Sequence, residues 1–258
     1  MILTDTIGPV RVLQLNDAER RNPLTPEIAD TLLHELLRAE SEPGIRALVI
    51  SGVGPVFCAG GDLGSMPPSD PAAARERLGR YERLVLGFRA SPLPLVSAVN
   101  GAAAGIGAAL ALAADIVVLD ANGRILLPFT RLGLAPDGGL TRTLSERIGA
   151  GRARALLLLA EPIDAETALT LGIVDRIAAP GNALAEATHL AQNLAERASG
   201  SVAAVKELFA DLTTMGRTFA GEADAQTQRY FSAEFAVGKL AFANRIPPVF
   251  PERTPPTR

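Results

Sequence analysis

An α/β fold is what this sequence predicts, and three observations carry the prediction. Two short aliphatic runs end in glycine-rich loops: Ala47-Leu48-Val49-Ile50 leads to Phe57-Cys58-Ala59-Gly60-Gly61-Asp62, and Leu95 to Val99 leads to Asn100-Gly101 and Gly105-Ile106-Gly107. Four aliphatic residues bounded by Arg46 and Ser51 read as a buried strand. The second glycine segment passes into an alanine-rich helix start. From Asn182 onward the pattern is nearly all helical, with Val202, Val205, Leu208, Phe209 and Leu212 in one stripe.

In chain order, Ile2 to Ile7 and Val10 to Leu15 form an opening hairpin across Gly8-Pro9. Thr25 caps a helix with Pro26 at its first position, and Ile28, Leu32, Leu33, Leu36 and Leu37 recur at helical spacing. Met66-Pro67-Pro68-Ser69-Asp70-Pro71 breaks the chain before an arginine-rich helix from about Ala72 to Arg89. A glycine turn and a helix to Ala114 follow the run Leu95 to Val99, then strands over Asp115 to Leu119 and Arg124 to Leu127. Helices over Gly139 to Ile148 and Arg152 to Ala160 precede a third, Ala165 to Leu171, capped by Asp164 and ended by Gly172. Four of the nine phenylalanines, Phe231, Phe235, Phe242 and Phe250, fall in the last twenty-eight residues. They either seal the domain's own core or dock on a neighbouring subunit.

Composition narrows the function. The 258 residues suffice for one large domain, and 48% hydrophobic content with 4% aromatics and no Trp indicates a core of alanine and leucine. A net charge of -3 and no long basic run leave no footprint for nucleic acid. One cysteine excludes an internal disulfide. The N-terminus lacks an export pattern, and the apolar stretch Leu95 to Leu119 is interrupted by Asn100, several glycines and Asp115, so no membrane span and a cytoplasmic location are expected. His34 and His189 stand apart from any acidic or cysteine cluster, so no metal site is expected.

The two glycine loops carry chemistry. Consecutive glycines expose backbone, and a helix N-terminus leaves N–H donors free, so two strand ends that each present an amide would make a two-donor oxyanion hole. The competing readings are a tight turn without ligand, and a dinucleotide fingerprint whose third glycine is missing at Leu110. Cys58, with no histidine or cation beside it in sequence, reads as a buried apolar thiol.

Taken in order, Phe57-Cys58-Ala59-Gly60-Gly61-Asp62-Leu63, Asn100-Gly101 to Gly107, Ala114-Asp115-Ile116 and Leu132-Gly133-Leu134-Ala135-Pro136-Asp137-Gly138-Gly139 resemble the crotonase superfamily, the enoyl-CoA hydratase/isomerase family. The resemblance runs from about Val12 to Phe250. It implies a crotonase (ClpP-like) spiral of repeated ββα units over residues 1–195, with a helical trimerisation segment over 196–258. It also implies an acyl-CoA substrate, no separate cofactor, and a homotrimer or a hexamer of paired trimers. The oxyanion donors carried over are the N–H groups of Gly61 and Ile106. Ala59, Asp62, Leu63 and Phe129 fall along the acyl-CoA path, and Arg20, Arg21 and Asn22 border the CoA tail, where cations suit a diphosphate; a solvated charged loop is the other reading.

One departure from the family matters. Family hydratases add water with two glutamates, and alignment through Gly105 and Leu132-Gly133 puts Ala109 and Phe129 at those positions. One carboxylate, Asp137, remains where several isomerising branches resemble one another in carrying a functional aspartate. Among apolar neighbours its pKa is expected to rise toward that of a general base; capping of the helix after Gly138 is the alternative role. The resemblance therefore implies an enoyl-CoA isomerase acting on a double-bond or ring-derived substrate. A hydratase with an atypical site and a non-catalytic acyl-CoA binder are the alternatives.

Overall fold

A computed structural model of the chain describes residues 1–252. The expected hairpin opens it: β1 (Ile2–Ile7) and β2 (Val10–Leu15) pair antiparallel. Helix α1 (Pro26–Ser41) begins as its sequence dictates, with the Thr25 hydroxyl accepting the Ile28 N–H. Strand β3 (Ala47–Gly52) is buried along its whole length, as a parallel strand covered on both faces must be.

There follow β4 (Val56–Cys58), α2 (Pro71–Ala90), β5 (Leu95–Val99), β6 (Ala102–Ala104), α3 (Ile106–Leu112), β7 (Ile116–Asp120) and β8 (Arg124–Leu126). Next come α4 (Leu140–Ile148), α5 (Ala150–Leu159), β9 (Ile163–Asp164), α6 (Ala165–Leu171) and β10 (Arg176–Ala178). Four helices complete the described chain: α7 (Ala183–Ala195), α8 (Ser199–Phe209), α9 (Leu212–Tyr230) and α10 (Ala233–Asn244). None of the described helices is long and apolar enough to cross a membrane.

The strands divide by a simple rule. β3, β5 and β7 join a six-stranded sheet of order β1-β2-β3-β5-β7-β10, while their successors β4, β6 and β8 join a four-stranded sheet of order β4-β6-β8-β9. All pairings are parallel except β1 with β2 and β8 with β9. Each strand–strand–helix unit thus adds one rung to each sheet, which is the crotonase spiral. Ala102–Ala104, expected as part of a glycine turn, is the strand β6. Alanine is a poor strand former, but β4 on one side and β8 on the other take up its backbone groups.

One face of the larger sheet is covered by α7, which packs Ala187, Leu190 and Ala191 on Val12, Val49, Val96 and Val118. The opposite side holds the main core, which gathers Leu32 and Leu36 of α1, Leu84 and Phe88 of α2, and Leu110 of α3. Met215, Phe219, Tyr230 and Phe235 enter the same cluster, so α9 and α10 share the core of the strands. Helix α8 buries none of its residues: Leu208 is 84% and Phe209 79% exposed. Of the four late phenylalanines only Phe235 is buried; Phe231, Phe242 and Phe250 are exposed.

Close approach of backbone to backbone holds the two sheets in register. A Cβ on Gly101 would stand 2.0 Å from the Pro55 carbonyl oxygen, an atom that cannot swing aside. Gly101→Ala is therefore expected to destabilise the protein by about 3 kcal/mol in urea unfolding, at the upper end for overpacking. A loss within experimental error would show that the β4 and β6 strand ends are not locked together at this point.

Candidate active site

The first loop is tied down from outside. The Ala59 N–H donates to the Arg21 carbonyl at 2.9 Å, and the Gly60 carbonyl accepts the Leu24 N–H at 2.8 Å. Gly60 has φ of 93°, and a Cβ there would lie 2.7 Å from the Ala104 carbonyl oxygen, so only glycine lets the loop rest against the end of β6. After these bonds the Gly61 N–H finds no acceptor among the described residues.

At the second loop, Gly105 takes φ of 53° and donates its own N–H to Leu126 at 2.9 Å. That turn starts α3 at Ile106, whose N–H is among the donors a helix leaves unpaired. A Cβ on Gly107 would fall 2.7 Å from the Cys58 sulfur, so the start of α3 is pressed onto the end of β4. Gly61 and Ile106 then line one cavity of about 540 Å³, together with Ala59, Leu63, Phe129 and Asp137. The Ile106 side chain packs against the next loop: its Cδ1 would be 2.3 Å from a Cβ on Gly138.

Asp137 lines this cavity while only 6% exposed. Burial pushes its carboxyl up to about 7; the Gln226 amide opposes the rise, the Glu222 carboxylate adds to it, and the Arg77 guanidinium opposes it. Its Oδ2 accepts the Gln226 Nε2–H at 3.1 Å, and its Oδ1 has no partner among the described residues. The side chain does not cap α4. That helix has Gly139 as its N-cap, and the amides at this end go instead to Glu222 of α9, which accepts Gly139 N–H at 2.7 Å and Thr141 N–H at 2.9 Å. Glu222 is thereby held among donors, although burial raises its carboxyl above the ordinary range.

The remaining sequence-predicted residues divide. Arg21 lies at the cavity mouth, exposed. Arg20 pairs with Asp62 at 2.8 Å, and Asp62 caps the helical turn Leu63–Ser65 through the Gly64 N–H; neither lines the cavity. Asn22, expected beside the two arginines at the CoA border, is buried in the fold: its amide bonds Val53 and Val56 carbonyls and accepts the Asp17 N–H. Cys58 is buried, and desolvation pushes its thiol up to about 12, which leaves it unreactive at neutral pH. Ala109 is fully buried, and Phe129 presents its ring to the cavity beside Gly105.

Sequence reasoning missed the polar groups that come from two distant helices. Arg77 and Tyr81 of α2, and Glu222, Gln226 and Tyr230 of α9, gather around Asp137. The spacing 222, 226, 230 puts the last three on one helix face, together with the buried Met215 and Phe219. That pattern, polar residues at i, i+4 and i+8 within an apolar stripe, is the signal that could have found them. Arg131 at the cavity mouth and Gly238, Ala241 and Phe242 of α10 along its wall were missed as well.

Comparison with known proteins agrees with this architecture. The profile of the enoyl-CoA hydratase/isomerase family matches residues 6–253. A Thermus thermophilus protein named as an enoyl-CoA hydratase is 39% identical over 251 residues, covering 94% of this chain and 98% of the relative. The 1,2-epoxyphenylacetyl-CoA isomerase of Escherichia coli K12 is 34% identical over 257 residues, covering 96% of this chain and 97% of that one. The crystal structure of an enoyl-CoA hydratase from Mycobacterium avium subsp. paratuberculosis superposes with a TM-score of 0.88 at 28% identity, over 97% of this chain and 98% of the other. With two glycine-bounded amides and a buried carboxylate on one cavity, the chain belongs to the enoyl-CoA hydratase/isomerase family.

Proposed function

We propose that this cavity isomerises the double bond of an enoyl-CoA thioester, with Asp137 as its single base. The observation that carries the reading is that Asp137 is the only carboxylate among the cavity's described lining residues. In the first step an Asp137 oxygen takes the α-proton of a 3-enoyl-CoA. The electron pair of that C–H bond spreads over the dienolate, placing negative charge on the thioester oxygen. The Gly61 and Ile106 N–H groups donate to that oxygen, each preorganised donor contributing about 3 to 4 kcal/mol to the transition state. Asp137 then returns the proton to the γ-carbon, the double bond moves into conjugation, and the carboxylate is regenerated.

Hydration, the reaction in the name of the Thermus thermophilus relative, requires a held and activated water. The two positions that the family resemblance assigns to that task are Ala109 and Phe129, and neither side chain can hold or deprotonate one. The exposed Arg21 and Arg131 at the mouth suit the CoA diphosphate. The uncovered apolar face of α8 supports assembly into a homotrimer.

Asp137→Asn is expected to lower kcat on 3-hexenoyl-CoA by about a thousandfold or more, within reach of a lost general base, with little change in KM. Unchanged turnover would end the one-base mechanism. Because the base works ionised, wild-type kcat/KM should fall in proportion to acidity below about pH 7. A profile flat from pH 5 to pH 8 would contradict it.

The same carboxyl makes stability depend on pH with a defined sign. Its folded value lies above its ordinary 3.8, so the fold favours the protonated form. The cost of ionising it is absent below about pH 4, grows as pH rises, and is complete above about pH 7, where it is on the order of 4 kcal/mol. Thermal melts of Asp137→Asn should therefore gain on the wild type between about pH 4 and pH 8. A constant gap between the two proteins would show that Asp137 is not desolvated.

A further inference from the structure

One side chain holds the carboxyl of Asp137, and that side chain is itself held. Gln226 of α9 is 1% exposed and lines the substrate cavity beside the acid. Its Oε1 accepts the Ala135 N–H at 2.9 Å, and its Nε2 donates to Asp137 Oδ2 at 3.1 Å. The two contacts decide which way the amide faces. Turning it over would set Nε2 against the Ala135 N–H and Oε1 against the carboxylate, leaving buried groups unpaired at both ends. Gln226 therefore meets Asp137 as a donor only. An N–H bonds more strongly to a carboxylate than to a carboxylic acid, so the contact favours the base without its proton.

The backbone around Asp137 does not depend on that bond. Glu222 takes the Gly139 and Thr141 N–H groups, and a Cβ on Gly138 would stand 2.8 Å from the Ala109 Cβ, so α9 and α3 hold the loop from two sides. What is left to Gln226 is the carboxyl at the end of the side chain, whose other oxygen, Oδ1, has no partner among the described residues. The charged and titratable groups that face it are Arg77 and Tyr81 of α2 and Glu222 and Tyr230 of α9. Glu222 pushes the Asp137 carboxyl up and Arg77 pulls it down by charge alone; among the described residues only Gln226 hydrogen-bonds it.

We propose that Gln226 is the positioning residue of the base: its amide, fixed by Ala135, holds the Asp137 carboxyl in one orientation and selects its proton-free form. The assignment rests on the isomerase reading of the cavity and deepens it. In turnover the carboxyl takes a proton from the α-carbon and gives it to the γ-carbon. The amide protons stay on Gln226 throughout, because its carbonyl end has no proton to pass on.

The test is the pH dependence of 3-hexenoyl-CoA isomerisation by the full chain carrying Gln226→Met, whose side chain has similar reach but no amide. The acid limb of kcat/KM should move up by about one pH unit or more, and kcat on the plateau above it should fall about tenfold or more with little change in KM. Gln226→Glu keeps the shape and serves if Gln226→Met does not fold. Its new side chain can donate to Asp137 only while protonated, so activity should decline on the alkaline side, where the wild type stays level. An acid limb that does not move, a loss carried by KM instead of kcat, or a Gln226→Glu profile like that of the wild type would each overturn the assignment. The Asp137 carboxyl stretch, identified by its loss in Asp137→Asn, reads the same midpoint by infrared titration without turnover. If the wild type does not isomerise 3-hexenoyl-CoA while that midpoint rises in Gln226→Met, the isomerase reading falls and the hold of Gln226 on Asp137 stands. If turnover depends on Asp137 and the midpoint does not move, the assignment of Gln226 falls and the base stands.

Discussion

Two main-chain N–H groups without internal acceptors, at Gly61 and Ile106, set the terms for the rest of the molecule. An unpaired amide in a dry cavity is a cost, and native folds avoid it unless a ligand supplies the partner. Here the cost is imposed by the ββα spiral itself. Each unit ends its second strand beside the next, and the glycines at 60, 101 and 107 let those ends approach to distances that no side chain would permit. Pressing β4, β6 and the start of α3 together leaves the two amides on a common wall.

The electrostatics of the site come from the opposite direction, through α2 and α9. Glu222 takes over the capping of α4, so Asp137 is free of that duty. Gln226 spans the loop between, donating to Asp137 and accepting the Ala135 N–H at 2.9 Å. The loop carrying the carboxylate is thus fixed at both ends by one helix. Desolvation then does most of the tuning, and the nearby Glu222 and Arg77 charges act in opposite senses. A carboxyl raised to about 7 follows from placing it among apolar walls with a single amide donor.

Much of the scaffold was legible in the sequence because its signals are local. Thr25-Pro26 starts α1, Asp164 caps α6, and Gly172 ends α6 in the left-handed conformation. The glycine loops and the Asp137 segment announced themselves as motifs in order. What stayed hidden depends on distance in the chain. Nothing near Ala102–Ala104 says that strands will flank it on both sides, and nothing near Asn22 says that two carbonyls from residues 53 and 56 will claim its amide. Arg77 read as one more cation on a charged helix; only packing against α9 shows that it is buried. The stripe on α8 is clear by periodicity, yet periodicity gives a face and not its cover, and within the protomer that face stays exposed.

The convergence of the two amides on one oxygen is tested most directly by the carbonyl stretch of bound hexanoyl-CoA, carbon-13 labelled at the thioester and read by isotope-edited infrared difference spectroscopy. On the wild type the band should shift below its frequency in water, since both donors polarise the carbonyl. Ile106→Pro removes one N–H at the first position of α3, where helices accept proline, and should lose part of that shift, while Ile106→Ala, which keeps the N–H, should retain it. A wild-type band at its aqueous frequency, or the same band in Ile106→Pro as in Ile106→Ala, would contradict the account.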